Sequence, residues 1–420
     1  MPVSAGPRDI SSSIYTSLTS RYTCLDKAMD AVHNPYSPGA GRRPPALVGR
    51  DFQINAIDVL LHRAAIGRTG QGLILSGLRG VGKTVLLNEL AGRAQGADWI
   101  VSKVEAHPDG AGRDNLQVAL ARGLHQSLRQ LQGKGWAGKF RTALSTFKAF
   151  SVKVDPTGSV TFGVDVNTAV GRADTGNVDT DLTELALDLA EAAAEQHVGV
   201  GIFIDEMQDV SSDVLSALIS AAHEAGQRNL PFYLIGGGLP SLPRVLAEAK
   251  SYAERLFDYH TIGHLAEPLA AEALVTPALA EGASWDPDAL SHIIRVAGGY
   301  PYFLQEYGSV AWNVALGPVI TPHDAGVAEQ FGQTKLDAGF FASRWGRATP
   351  AERDYLRAMA ADAGGHSQSS EVASRMGRPP SALGPARASL ISKGLIYAPE
   401  HGQIAYTVPG MAQFITRQTT

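Results

Sequence analysis

The sequence predicts an α/β fold with a mostly parallel five-stranded core. Two observations support this prediction. An apolar run at residues 72–76 precedes a glycine-rich loop, and the stretch after that loop, residues 85–91, has the apolar spacing of a helix. A second apolar run, residues 198–204, ends in two adjacent carboxylates. A strand that is apolar on both faces suits a buried parallel sheet, so this run fits a strand of such a core.

The glycine-rich loop matches G-x-x-x-x-G-K-[ST], the P-loop of nucleotide-binding proteins, between Gly77 and Thr84. Its glycines let backbone N–H groups turn toward a phosphate, and the following helix adds the partial positive charge of its N-terminus. Lys83 is expected to reach the β- and γ-phosphates, and the Thr84 hydroxyl to bind Mg²⁺. We therefore expect ATP or ADP with Mg²⁺ as cofactors. The predicted phosphate-binding residues are Gly77, Arg79, Gly80, Val81, Gly82, Lys83, Thr84 and Val85.

The two carboxylates are Asp205 and Glu206, at the end of a strand with the Walker B pattern. Asp205 is placed to hold Mg²⁺ through water, and Glu206 to polarise the water that attacks the γ-phosphate. An apolar strand that ends in Asp-Glu is weak evidence when it occurs alone. Downstream of a complete P-loop, with a strand and helices between, it predicts ATP hydrolysis.

Composition limits the class of protein. The chain has 420 residues, 44% of them hydrophobic, which is enough for two or three domains with a sizeable core. Its net charge of −5 gives no general affinity for nucleic acid, so any such contact must be local. Cys24 is the only cysteine, which excludes an internal disulfide and suits a reducing compartment. No apolar run reaches membrane-spanning length, and we expect a cytoplasmic protein without membrane contact.

The first half of the chain is predicted to form an N-terminal extension, residues 1–37, and an ATPase core, residues 38–264. Residues 38–45 are rich in Pro and Gly and mark the predicted boundary. Asp51 is the expected N-cap of the first helix. Alternating valines around a turn predict a β-hairpin inserted at about residues 150–167. The second, fourth and fifth strands are expected at residues 99–104, 232–235 and 259–262.

Two positions late in the core bear on catalysis. After the fourth strand, where many P-loop ATPases place a polar residue that senses the γ-phosphate, the chain has only Gly236, Gly237 and Gly238. Arg255 precedes the fifth strand, where an arginine can point out of its own subunit into the nucleotide of a neighbour. It is therefore a candidate catalytic residue of a nucleotide-dependent homo-oligomer. The alternative is an ordinary surface or salt-bridged arginine.

Residues 265–345 have helical spacing and are predicted to form a helical lid. Within it, Gly298 and Gly299 form a turn between two helices, with Pro301 early in the second helix. This turn either lies against the adenine or is an ordinary helix–helix connection.

Residues 346–420 predict a winged-helix domain, because three helices precede a short hairpin. The first helix begins with a capping box, since Glu352 stands three residues after Thr349. Residues 347–420 carry eight Lys/Arg and five Asp/Glu, a net charge of +3. This domain could contact duplex DNA. The tip of the wing is not basic, however, so the domain could instead dock on a protein. The candidate DNA-contacting residues are Arg375, Arg378, Arg387 and Lys393.

Together these segments resemble bacterial AAA-type P-loop ATPases close to the origin-recognition-complex group, which are related also to the STAND signalling ATPases. The resemblance covers roughly residues 38–417. It implies that Val48, Gly49 and Arg50 lie beside the adenine and that Pro301 packs against the base. Such ATPases usually carry an arginine in the lid helix after the turn, facing the γ-phosphate. Here Tyr300, Pro301 and Tyr302 occupy that region.

These departures make fast hydrolysis doubtful and favour a slow nucleotide-dependent conformational switch. We therefore expect a Mg²⁺-dependent ATP-binding protein with slow ATPase activity, DNA-associated through its winged helix. One alternative is a STAND-like signalling or scaffold ATPase whose winged helix and hairpin bind a protein partner. The other is a nucleotide binder with negligible turnover.

Overall fold

The structure, a computed structural model, describes residues 29–107, 112–131, 142–148, 175, 177–362 and 366–418. The predicted inserted hairpin and most of the predicted N-terminal extension lie outside the described residues. Within the part that is described, no helix combines the length and the apolar character of a membrane span.

The core is a parallel five-stranded sheet, as predicted, with strand order β2-β3-β4-β1-β5. The central strands are completely buried, which explains their almost continuous apolar sequences. Strand β1 pairs with β4 on one side and with β5 on the other, so Leu73 lies opposite both Ile235 and Asp258. The strands are β1 (Gly72–Ser76), β2 (Ile100–Glu105), β3 (Val200–Asp205), β4 (Phe232–Gly238) and β5 (Phe257–Thr261).

Helices cover both faces of this sheet. Alternate residues of β1 point to opposite faces, so Leu73 and Leu75 join one hydrophobic cluster and Ile74 joins the other. The first helix begins at Asp51, so Asp51 is not the N-cap; Arg50 occupies that position and makes no side-chain cap bond. The helices of the core are α1 (Asp51–Ala65), α2 (Lys83–Gly96), α3 (Gly112–Leu131), α4 (Val178–Glu195), α5 (Ser212–Gln227), α6 (Leu242–Ala249) and α7 (Ala253–Leu256), and residues 142–148 are also helical.

Four helices follow the core where the lid was predicted. They are α8 (Glu267–Ala280), α9 (Pro287–Ala297), α10 (Pro301–Val314) and α11 (Pro322–Lys335). A short parallel strand pair, β6 (Ser284–Trp285) and β7 (Val319–Ile320), was not predicted. The end of the predicted N-terminal extension packs on these helices, because the hydroxyl of the buried Tyr36 donates to the Leu274 carbonyl at 2.5 Å.

A π-helical segment, Leu336–Phe341, continues directly from α11 into α12 (Ala342–Gly346) and so connects the lid to the last unit. That unit holds α13 (Pro350–Ala360), β8 (His366–Gln368), α14 (Ser369–Arg375), α15 (Pro380–Ser392), β9 (Ile396–Tyr397), β10 (Gln403–Tyr406) and α16 (Met411–Gln418). Its three strands form an antiparallel sheet of order β8-β10-β9. The predicted capping box of Thr349 and Glu352 is present. The first strand, β8, was not predicted.

Candidate functional site

The P-loop and the Walker B strand bring three chemically active side chains together at the carboxyl ends of the sheet strands. The Thr84 hydroxyl donates to Asp205 Oδ2 at 2.6 Å, although 121 residues separate them in the chain. Lys83 is almost completely buried, and its amine donates to the carbonyls of Gly77 and Leu78 at 2.9 and 2.8 Å. Hydroxyl and carboxylate oxygens are the ligands that Mg²⁺ prefers. Thr84 and Asp205 therefore fit a magnesium ion.

The charge of Lys83 is poorly compensated inside the protein. Burial lowers the pKa of this lysine to about 8, against the nearby carboxylates Glu206 and Asp205, which raise it, while Arg79 lowers it further. A bound polyanion would restore the favourable environment of the ammonium group.

The P-loop contains a backbone conformation with positive φ, which glycine adopts readily. Gly80 has φ +87°, and a Cβ there would lie 2.9 Å from the Tyr300 ring. A side chain at this position would therefore be strained and would also push Tyr300 away from the loop.

Glu206 is held in place by two neighbours. Gln208 donates its side-chain amide to Glu206 Oε2 at 2.8 Å, and the Arg79 guanidinium lies 3.5 Å from Oε1. The residue itself has φ +49°, a left-handed conformation that is uncommon outside glycine. The carboxylate is thus engaged by protein groups, next to Asp205, whose Oδ1 accepts the Glu206 N–H at 3.0 Å.

The glycines at the end of β4 are explained by close packing against the Walker B segment. A Cβ on Gly236 would lie 2.3 Å from Met207 Sδ, one on Gly237 would lie 3.2 Å from Asp205 Oδ1, and one on Gly238 would lie 2.4 Å from Gln208 Oε1. A side chain at Gly236 or Gly238 would therefore displace Met207 or Gln208, and one at Gly237 would press on Asp205.

A cleft of about 620 Å³ lies over the P-loop, between the core, the lid and the π-helical segment. This volume is in the usual range for a small-molecule site. Of the predicted binding residues, the cleft is lined by Val48, Arg50, Arg79, Gly80, Val81, Gly82, Lys83, Thr84, Val85, Asp205, Glu206 and Pro301. Gly49 and Gly77 lie beside it within the same segments but do not line it.

Arg50 lines the cleft, but its guanidinium binds backbone carbonyls of the protein itself. Its guanidinium donates to the carbonyls of Val81 and Gly263 at 3.0 and 2.9 Å. The arginine therefore ties the P-loop to the segment that leads from β5 into the lid. Burial lowers the pKa of Arg50, and no carboxylate among the described residues pairs with it to oppose this shift.

Arg255 does not line the cleft. It is exposed, and its carbonyl accepts a hydrogen bond from the Gln71 side chain at 2.8 Å. Gln71 precedes β1, so Arg255 lies near the amino ends of the strands, away from the P-loop of its own chain.

The four candidate DNA-contacting residues are in different environments. Arg375 forms a bidentate ion pair with Asp362, and Lys393 pairs with Glu352 at 2.7 Å. Arg378 is exposed, and Arg387 is partly buried. Two of the four cations are thus engaged within their own unit.

Sequence reasoning missed several residues of the cleft. Residues 38–42 and Pro44, within the predicted boundary segment 38–45, line it together with Ser37. A Cβ on Gly41 would lie 3.5 Å from the Thr84 methyl group. Tyr302, Phe340 and Arg344 also line it. A Pro- and Gly-rich stretch and a lone arginine 261 positions after the P-loop lysine carry no local pattern that would have identified them.

The last unit contacts the P-loop directly. The Arg79 backbone N–H donates to the Thr407 carbonyl at 3.0 Å, and Leu78 packs with Tyr397 and Ala405. A Cβ on Gly394 would lie 2.7 Å from the Arg79 guanidinium. The loop that would hold phosphates is therefore also a docking surface for residues 394–407.

Comparison with known proteins agrees with this architecture. Residues 46–235 match a family model described as an AAA ATPase domain, and residues 338–415 match a domain of unknown function, DUF8462. Comparison with curated proteins gives no match.

Among solved structures, the chain is similar to the Walker-type ATPase PABY2304 of Pyrococcus abyssi, with a TM-score of 0.56, 15% identity, and coverage of 89% of this chain and 97% of that one. Cdc6p from Pyrobaculum aerophilum has a TM-score of 0.44 at 15% identity, covering 93% and 97%. Only the first likeness, with its TM-score above 0.5, supports the fold, and at 15% identity it supports nothing beyond the fold. The chain therefore has the P-loop NTPase fold.

Proposed function

We propose that this protein binds ATP with Mg²⁺, hydrolyses it slowly, and uses the bound nucleotide as a conformational switch. The observation that carries the proposal is the meeting of the Lys83 amine, the Thr84 hydroxyl and the Asp205 carboxylate in one cleft. Lys83 and the loop amides neutralise the phosphates, and Thr84 and Asp205 hold the metal. When bound, Mg²⁺ supplies Lewis-acid stabilisation of charge on the transferring phosphoryl group.

Glu206 is the proposed residue that orients the attacking water. Slow turnover is supported by its restraint, because Gln208 and Arg79 must release it before it can face a water molecule. The glycines at the end of β4 support the same conclusion, since they leave no side chain there to contact the γ-phosphate.

The switch is supported by the docking of the last unit on the P-loop. Leu78 and Arg79 contact residues 394–407, so a loop that changes conformation around phosphates also changes this contact. The helices and antiparallel sheet of this unit fit the winged-helix arrangement expected from the sequence. We propose the domain division as extension, ATPase core, lid and winged helix.

Between the two proposed uses of the winged helix, the ion pairs favour docking on protein over contact with duplex DNA. Arg375 and Lys393 already have carboxylate partners, so binding to phosphates would require breaking those pairs. A DNA-retardation assay at low salt with Arg378→Ala tests the DNA alternative. A shift that falls with salt and weakens in the variant would restore it.

Oligomerisation through Arg255 is tested by measuring mass with ADP and with a non-hydrolysable ATP analogue. An ATP-dependent assembly that is lost in Arg255→Ala supports a role in a neighbouring subunit. A monomer in both nucleotide states removes that role.

Nucleotide binding is tested with Lys83→Ala and hydrolysis with Glu206→Gln. The first variant should lose ATP affinity, and the second should keep affinity but lose phosphate release. Equal ATP affinity in Lys83→Ala would refute the P-loop assignment. Unchanged turnover in Glu206→Gln would refute the role of the glutamate.

A further inference from the structure

Arg344 lines the cleft from outside the ATPase core, after the lid helices α8 to α11. It lies in α12, directly after the π-helical segment, within residues 338–415, which match DUF8462. Its Nη1 donates to the Phe340 carbonyl at 2.6 Å, and its guanidinium lies 3.9 Å from the centre of the Phe340 ring. These contacts hold the side chain along the wall of the cleft, on which Phe340 also lies.

The guanidinium has no compensating carboxylate among the described residues. Its Nε is buried without a hydrogen-bond partner, and the contacts found for the group are to a carbonyl and an aromatic ring. Burial lowers the pKa of Arg344 to about 10, and Arg79 and Arg347 lower it as well. The cleft thus collects positive charge from Lys83, Arg79 and Arg344. Within the part of the chain that the structure describes, only Arg79 of these three has a carboxylate within 4 Å, that of Glu206.

Arg344 lines the same cleft as Arg79, Gly80 and Lys83 of the P-loop. Its electrostatic neighbours include Arg79, in the P-loop, and Tyr300, whose ring lies against Gly80. Tyr300 also has a buried hydroxyl without a hydrogen-bond partner. Arg344 thus lines the cleft beside the P-loop, and the buried Tyr300 hydroxyl lies next to the same loop without a partner.

Resting on the proposed function, we propose that Arg344 contacts the terminal phosphate of the bound nucleotide and thereby distinguishes ATP from ADP. A third phosphate supplies the anionic partner that the protein does not provide for this arginine. Because α12 ends only three residues before Thr349, which caps α13, this contact also connects the phosphate to residues 349–418. The segment before α12 is π-helical, and π-helical turns occur frequently at functional sites.

The test is titration of the full chain with Mg-ATP and with Mg-ADP, each followed by calorimetry. Arg344→Ala should weaken ATP binding by about 10- to 100-fold, the range expected for a hydrogen bond to a charged group, and ADP binding by less than about threefold. Arg344→Gln keeps most of the packing on Phe340 and should lose the same discrimination. Arg353→Ala is the matched control, because that arginine packs on Trp345 and does not line the cleft.

Equal weakening of both nucleotides in a folded Arg344→Gln protein would overturn the inference, as would unchanged ATP affinity. The same loss in Arg353→Ala would also overturn it, since the effect would then come from the packing of the unit. Failure of the unmodified chain to bind either nucleotide would instead refute the proposed function, and this inference with it.

Discussion

Replacing Gln208 with methionine tests whether Glu206 is restrained in the resting protein. Methionine has nearly the same length as glutamine and fills the same space, but it cannot donate the 2.8 Å hydrogen bond to Glu206 Oε2. Gln208 Oε1 also accepts the Leu239 N–H at 3.0 Å, so the variant loses that contact too. The first loss should change turnover, and the second should change stability.

The size of each effect follows from the contacts. A hydrogen bond to a charged group contributes about 1.5–3 kcal/mol. The Glu206 side chain is 20% exposed, so the lower end of that range applies. If release of Glu206 limits the reaction, a barrier lowered by about 1.4 kcal/mol raises turnover about tenfold. The unsatisfied Leu239 N–H should cost about 1 kcal/mol of stability and lower the melting temperature by about 1 °C.

The assay is phosphate release at saturating Mg-ATP, with Glu206→Gln as the background and ATP affinity measured in parallel. Gln208→Leu is a useful second variant, because it is also apolar and close to glutamine in size, and it cannot donate to Glu206. Both variants should turn over faster than the unmodified chain at similar ATP affinity. Lower or equal turnover in both would refute the reasoning and would show that Gln208 holds Glu206 in its productive position.

Two further predictions concern the P-loop and the last unit. Gly80→Ala should weaken ATP binding about tenfold, because alanine is strained at φ +87° and its Cβ would meet Tyr300 at 2.9 Å. Gly92→Ala is the control: an added Cβ there has nothing within 4 Å, so this variant should bind ATP normally. Equal titration curves for the two variants would contradict this prediction. Burial raises the pKa of Glu352, but hydrogen bonds from Lys393 and its other neighbours outweigh this and lower it to about 2, so this carboxylate adds stability above about pH 4.5 that is lost as the pH falls toward 2. Glu352→Gln should therefore lower the free energy of unfolding at pH 7 by at most about 3 kcal/mol, and with it the melting temperature. The melting temperature of the variant should also fall less between pH 4.5 and 2. The same pH dependence in the variant and the unmodified chain would show that the ion pair contributes nothing.

The parts of the site that the sequence predicted are those with a local pattern. Lys83 and Thr84 follow from a contiguous motif, and Asp205 follows from an apolar strand whose carboxyl end must lie at the same edge of a parallel sheet. The 2.6 Å contact between Thr84 and Asp205 is a consequence of that topology. The strand positions were predictable for the same reason, because burial on both faces requires continuous apolar runs.

The rest depends on packing between distant segments. Arg344 follows the π-helical segment Leu336–Phe341 and lies 261 positions after Lys83, so no local motif connects it with the P-loop. The net charge of the last unit does not identify which cations are paired. Arg375 and Lys393 contribute to its excess of +3, but they are paired with carboxylates that lie 13 and 41 positions away. Net charge counts residues, whereas availability depends on the partners that folding supplies.

Arg79 takes part both in the candidate nucleotide site and in the contact between the P-loop and the last unit. Its side chain pairs with Glu206 and lies against Gly394, and its backbone N–H bonds to Thr407. A polyphosphate in the cleft would attract the same guanidinium that now neutralises Glu206. Binding would then both release the glutamate and alter the contact with Gly394. Coupling between two sites is reciprocal, so a partner that stabilises the docked unit must change nucleotide affinity by the same factor that nucleotide changes docking.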